Sequence, residues 1–103
     1  MKKRPEPPAH LSQRAQNIWR DLVKTRADST ERQVLLRSAL EDLDRIDELR
    51  ELLAREGLMS KSERSGLTHV HAAVRLEAEA RRRFLAAWRA LGLIWPADAG
   101  FPI

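Results

Sequence analysis

His69 and His71 stand two residues apart in "SGLTHVHAA", close to Ser60, Ser62 and Ser65. Two imidazoles could ligate a metal ion, and an imidazole beside a hydroxyl could activate it as a nucleophile. Neither chemistry is supported by the spacing. Residues two apart on a helix do not converge on one ligand, and neither cysteine nor a carboxylate cluster adjoins them. None of the serines sits in a nucleophile-elbow sequence. The densest run of carboxylates is Glu41, Asp42, Asp44, Asp47, Glu48 and Glu51, which a continuous helix spreads around its surface instead of focusing on a cation. The four glycines form no phosphate-cradling loop. No catalytic residue, metal ligand or cofactor is therefore expected, and the chain is read as a binding protein, not an enzyme.

Charge gives the binding reading its direction. The net charge is +4 and the isoelectric point about 10.3, which permits a polyanionic partner without requiring one. The charge is zoned. Residues 1–26 hold seven lysines and arginines against two acids, whereas residues 41–56 hold seven acids against three arginines. Lys2, Lys3 and Arg4 precede the prolines of "PEPPAH", and Arg14, Arg20, Lys24 and Arg26 continue the basic character. These seven are the candidate DNA-binding residues, since cations on a proline-tethered arm and its neighbouring helix can meet phosphates without fixed geometry. The plainer alternative is a solubilising tail on an ordinary basic helix. The consecutive Arg81, Arg82 and Arg83 fan around their helix, and at least one of them is expected to pair with the acidic run.

Three helices must position these groups. Ala15, Ile18, Trp19, Leu22 and Val23 recur at one-face helical spacing, and Ser12 ahead of them is an N-cap, so a short helix is predicted over about 13–25. Pro7 and Pro8 cannot extend it backwards. After "ADST", where Asp28 or Ser29 can cap, Leu36, Leu40, Leu43, Ile46, Leu49 and Leu53 predict a long helix over about 30–56, ended by Gly57 with an apolar contact from Leu58. Ala73, Leu76, Ala80, Phe84, Ala87 and Leu91, with Trp88 beside them, predict a third over about 71–91, and Gly92 with Leu93 repeats the ending. Between them, the turn-rich Ser62–Gly66 flanked by short apolar pieces reads as a loop or loose hairpin. Trp19, Leu43, Ile46, Leu53, Phe84 and Trp88 are the candidates for the core or for an interface between copies.

At 103 residues the chain accommodates one domain that buries roughly 60–65% of its unfolded surface. Residues 1–11 form the basic arm, 12–93 the helical domain and 94–103 a tail in which Trp95, Phe101 and Ile103 are expected to fold back. No apolar run approaches the length of a membrane span, and "MKKRPEPPAH" leads into no signal-peptide core. Zinc-finger and leucine-zipper signatures are absent, and the turn "RADST" lacks the glycine common in helix-turn-helix units.

The stretch "PPAHLSQRAQNIWRDLV" resembles the opening of the small subunits of phage terminases, with a proline-rich leader, a serine cap and a helix bearing a central tryptophan. "HAAVRLEAEARRRFLAAWRALGL" resembles the closing helix of the same family, although Ala72 stands where proline is usual. The order of parts agrees over about residues 5–95. The resemblance implies an all-α subunit of short, long and long helices that assembles into a ring. It also implies a non-catalytic component of viral genome packaging in the host cell cytoplasm, with viral double-stranded DNA, the terminase large subunit and copies of itself as partners, and no membrane. A helical adaptor whose acidic helix binds a protein partner without DNA is the alternative.

Overall fold

The computed structural model describes residues 4–61 and 68–94. It contains α1 (Gln13–Leu22), α2 (Thr30–Glu56), β1 (Met59–Lys61), β2 (Thr68–Val70) and α3 (Ala72–Ala90). The three helices expected from the apolar spacing are all present, and the architecture is all-α apart from one two-stranded ribbon. The turn at Ser62–Gly66 and the tail residues Trp95, Phe101 and Ile103 lie outside the described residues. The strands flanking that turn pair antiparallel, with Met59 opposite Val70, Ser60 opposite His69 and Lys61 opposite Thr68.

α2 and α3 form an antiparallel helical hairpin, and its register is visible in the charged pairs across it. Asp42 meets Arg83 at 3.2 Å, Glu77 meets Arg50 at 3.5 Å, and Glu56 meets His71 at 3.0 Å. Leu36, Leu40, Leu43 and Ile46 from α2, Ala80 and Phe84 from α3, and Leu91 just after it lose all contact with water. Each of the large ones contributes roughly 1.5–3 kcal/mol by that burial. The large dry side chains lie in the half of the hairpin that α1 covers, and beyond it α3 buries the small Ala73 and the ion-paired Glu77. Farther along, Leu49, Leu53 and Leu76 continue the apolar stripe but are only half-buried, because two helices without a third leave one side of the stripe wet.

Both ends of the hairpin are capped, in different ways. Ser29 accepts the Arg32 amide at the start of α2, which selects it over Asp28 as the cap. Glu31 follows in the first turn, and its carboxyl is held below the usual range by its own backbone N–H and by the Ser29 hydroxyl. At the end of α3 the Leu93 amide bonds Trp88 O at 3.1 Å and the Gly92 amide bonds Arg89 O at 2.8 Å. With Gly92 at φ 81°, this is a Schellman ending, and Leu93 packs back on the core as expected. Gly57 also has positive φ, but its ψ of 166° sends the chain out into β1. Leu58 is therefore 64% exposed, and its predicted contact with α2 does not form. α3 begins at Ala72 because His71 itself is the cap, its Nδ1 accepting the Ala73 amide at 3.0 Å.

α1 is held against α2 by its own N-cap. The Ser12 hydroxyl accepts the Ala15 amide and donates to Asp44 Oδ1 at 2.6 Å, while the Ser12 amide donates to Asp44 Oδ2 at 2.8 Å. One carboxylate thus fixes both the start of α1 and its position. Asp44→Ala is expected to cost about 1–2 kcal/mol, the low end for charge-assisted bonds because water reaches this pair. In a domain of this size that lowers the melting temperature by roughly 4–8 °C per kcal/mol. Thermal unfolding followed by circular dichroism checks it, and an unchanged melt would show that the contact contributes nothing in solution.

α1 ends at Leu22, three residues earlier than the apolar spacing suggested. The Thr25 and Ala27 amides both turn back to Leu22 O, which reverses the chain and buries Ala27 completely. The carbonyls this turn frees are taken by side chains of α2. Arg32 Nε donates to Arg26 O and Gln33 Nε2 to Ala27 O, and a second Arg32 nitrogen reaches Leu91 O at 2.8 Å.

Candidate nucleic-acid interface

The arm ahead of α1 is part of the fold. Trp19 is only 5% exposed, and a buried indole N–H needs an acceptor. It donates to the carbonyl of Pro5 at 3.0 Å. Pro7 and Pro8 lie half-buried behind that contact, and a turn closed by the Leu11 amide on Pro8 O, 3.2 Å, delivers the chain to Ser12. The expectation of a free arm over residues 1–11 is therefore corrected for residues 4–11, which lie against α1 and α2. Lys2 and Lys3 lie outside the described residues.

Docking the arm brings three of the predicted basic residues together. Arg4 from the arm, Arg20 from the last turn of α1 and Lys24 from the turn after it line one open cleft of about 200 Å³, with Pro5, Glu6, Pro7 and Val23. Among the described residues no carboxylate forms an ion pair with any of the three. Arg20 donates to the amide oxygen of Asn17 at 3.2 Å. The cleft carries three cations against the single carboxylate of Glu6. It borders a wider opening of about 700 Å³, where Arg4 and Lys24 face Asp28 and Glu31, so the excess positive charge is concentrated on the Arg20 side. Arg20 and Lys24 also sit at the carbonyl end of α1, which favours cations.

Two other predicted members are placed elsewhere. Arg14 pairs with Asp47 at 3.2 Å and helps dock α1, so it is a structural residue and not part of the cleft. Arg26 is exposed but does not line the cleft, and its guanidinium lies beside Gly92, where an added Cβ would be 3.3 Å from it. Of the candidates for core or interface, Trp19, Leu43, Ile46 and Phe84 are core, while Leu53 and Trp88 keep partial exposure. Phe84 and Trp88 stack with ring centres 5.1 Å apart.

The acidic run of α2 is largely occupied from within. Glu41 takes His10 at 2.7 Å and Arg37 at 3.3 Å, Asp42 takes Arg83, Asp44 takes Ser12 and Asp47 takes Arg14. Of the arginine triplet, Arg83 crosses to that helix. Arg81 pairs along α3 with Glu77 at 3.3 Å, and Arg82 points to solvent. Glu77, 8% exposed, is thereby held between Arg81 and Arg50. Among the described residues no three potential metal donors converge, and no helix is long and apolar enough to cross a membrane.

Sequence reasoning missed two features. The first is the arm's docking, for which a lone indole N–H on a core stripe behind a proline-rich leader was the available signal. The second is an apolar tip, where Leu58, Met59 and Val70 at the ribbon are each more than half exposed, at 64%, 51% and 56%. The spacing of Gly57 and Leu58 pointed the other way. No protein-family profile, curated protein or solved structure matches the chain.

Proposed function

We propose that this chain is the small subunit of a phage terminase, a non-catalytic, DNA-binding component of viral genome packaging that assembles into a ring and modulates a large ATPase and nuclease subunit in the host cell cytoplasm. One observation carries the reading: Arg4, Arg20 and Lys24 converge on a single cleft whose lining holds one carboxylate, Glu6, while Glu41, Asp42 and Asp47 farther along α2 are engaged by His10, Arg83 and Arg14. The positive charge is thus left outward at the arm end, where a duplex backbone can meet several cations at once. The order of helices, with a capped helix bearing a tryptophan ahead of a long helical hairpin, agrees with the resemblance in "PPAHLSQRAQNIWRDLV" and in the closing helix.

A second reading, a helical adaptor that binds a protein without DNA, draws on the opposite end of the hairpin. Leu58, Met59 and Val70 offer apolar surface there, whereas the acidic helix first considered for that role has most of its carboxylates paired. Light scattering of the purified chain, alone and with duplex DNA at 50 and 200 mM salt, separates the two. A discrete oligomer that takes up DNA and releases it as salt rises is the expected result, because phosphate neutralisation returns counterions to bulk. A chain indifferent to DNA at both salts would leave the adaptor.

A further inference from the structure

His10 on Glu41 and the buried Leu11 anchor the arm close to α1, and one bond from the core reaches it farther out, beside Arg4. The indole N–H of Trp19 reaches the Pro5 carbonyl at 3.0 Å, one residue after Arg4, and the ring behind it is buried in the core. Pro5, Pro7 and Pro8 limit the backbone freedom between that bond and the start of α1. The cleft that Arg4 shares with Arg20 and Lys24 has the arm as one wall and α1 with its following turn as the other.

We infer that the arm is a strap latched by Trp19, and that the latch makes Arg4 one jaw of a grip on a nucleic-acid phosphodiester, with Arg20 and Lys24 as the other jaw. Trp19 touches no phosphate in this arrangement. It is a positioning residue, acting through Pro5 on Arg4, and pre-setting Arg4 removes the ordering cost that an untethered arginine would incur on binding. The charge and size of the cleft suit a phosphate ester. It is open on one side, which an extended backbone requires, and its three cations outnumber the carboxylate of Glu6. A fully enclosed pocket would exclude a polymer. This inference rests on the DNA-binding reading and specifies which atoms hold the site closed.

The test is a double-mutant cycle on the full chain, titrating a labelled duplex at 0.1 M salt. Removing one phosphate contact lowers the slope of log affinity against log salt by about 0.9, so Arg4→Ala is expected to weaken binding roughly five- to tenfold. Trp19→Phe keeps a ring in the core and removes the N–H. It is expected to give nearly the same loss and the same reduced slope, and Arg4→Ala in the Trp19→Phe background is expected to cost little more. Independent, multiplying losses would overturn the latch while leaving DNA binding intact. A wild-type chain that ignores duplex at low salt would overturn both readings. If Trp19→Phe does not fold, hydrogen exchange at the Trp19 indole N–H of the wild-type chain decides. Protection retained with duplex bound supports the closed strap, and protection lost on binding refutes it.

Discussion

Phe84→Ala is expected to lower stability by about 3–5 kcal/mol, enough to unfold a large fraction of the chain near physiological temperature. Phe84 is the largest side chain that loses all contact with water, and it lies where α3 meets the buried Leu36, Leu40 and Leu43. It also stacks on Trp88, a contact that alanine cannot make. The cavity cannot collapse easily, since helices on both sides are pinned by Asp42 to Arg83 and by Arg32 to Leu91. A melting-temperature drop on the order of 15–30 °C should follow, read by circular dichroism. Leu53→Ala, on the half of the hairpin beyond α1, is the internal comparison and should cost closer to 1 kcal/mol because its side chain is already half wet. Equal losses at the two sites would mean that the dry core extends along the entire hairpin, as it would if a second copy covered the far half.

That contrast shows what was legible in the sequence. The apolar period placed all three helices, and of the six residues it offered for the core or an interface between copies, Trp19, Leu43, Ile46 and Phe84 are buried while Leu53 and Trp88 are partly exposed. The same period runs unchanged through Leu49 and Leu53, yet their burial depends on whether a third helix reaches that far, which spacing does not encode. The two Gly-Leu endings make the point at one residue each. Gly57 and Gly92 share a positive φ near 80°, but ψ at Gly57 is set by the ribbon that follows, so Leu58 faces water while Leu93 packs. The Gly-Leu pair itself is the same in both.

Charge was legible only as zones. The basic opening and the acidic middle of the chain are visible by counting, but which cations are consumed by which acids is a tertiary matter. Arg14 and Arg20 look alike on α1, six residues apart. Arg14 faces α2 and meets Asp47, whereas Arg20 faces the arm and meets no carboxylate among the described residues. Likewise Arg83 crosses to Asp42 while Arg81 joins Arg50 around the nearly buried Glu77. The candidate cleft is what remains after this pairing, and its position follows from the Trp19 bond that no composition or motif announces.

The double variant Arg20→Ala, Lys24→Ala is expected to lose roughly 10- to 100-fold in duplex affinity at 0.1 M salt, with the log-log salt slope reduced by about 2. The magnitude follows from removing two phosphate contacts of one unit charge each, and the loss should be nearly independent of duplex sequence, because phosphates are the same at every step. Stability should change little, since both side chains are exposed and among the described residues Arg20 bonds Asn17 alone. Arg14→Ala is the matched control. It removes one charge from the helix that carries Arg20 but breaks the Asp47 pair that docks α1, so it should lower the melting temperature slightly. Long-range attraction to the duplex would fall by one charge as well, but over a screening length of about 10 Å at this salt that effect is small beside a lost contact. Affinity measured for both variants by fluorescence anisotropy across 50 to 200 mM salt therefore distinguishes a site from a field. If Arg14→Ala weakens binding as much per charge as the double variant does, net charge alone governs and the cleft has no special role. If the double variant binds as the wild type does, the duplex is held somewhere other than between the arm and α1.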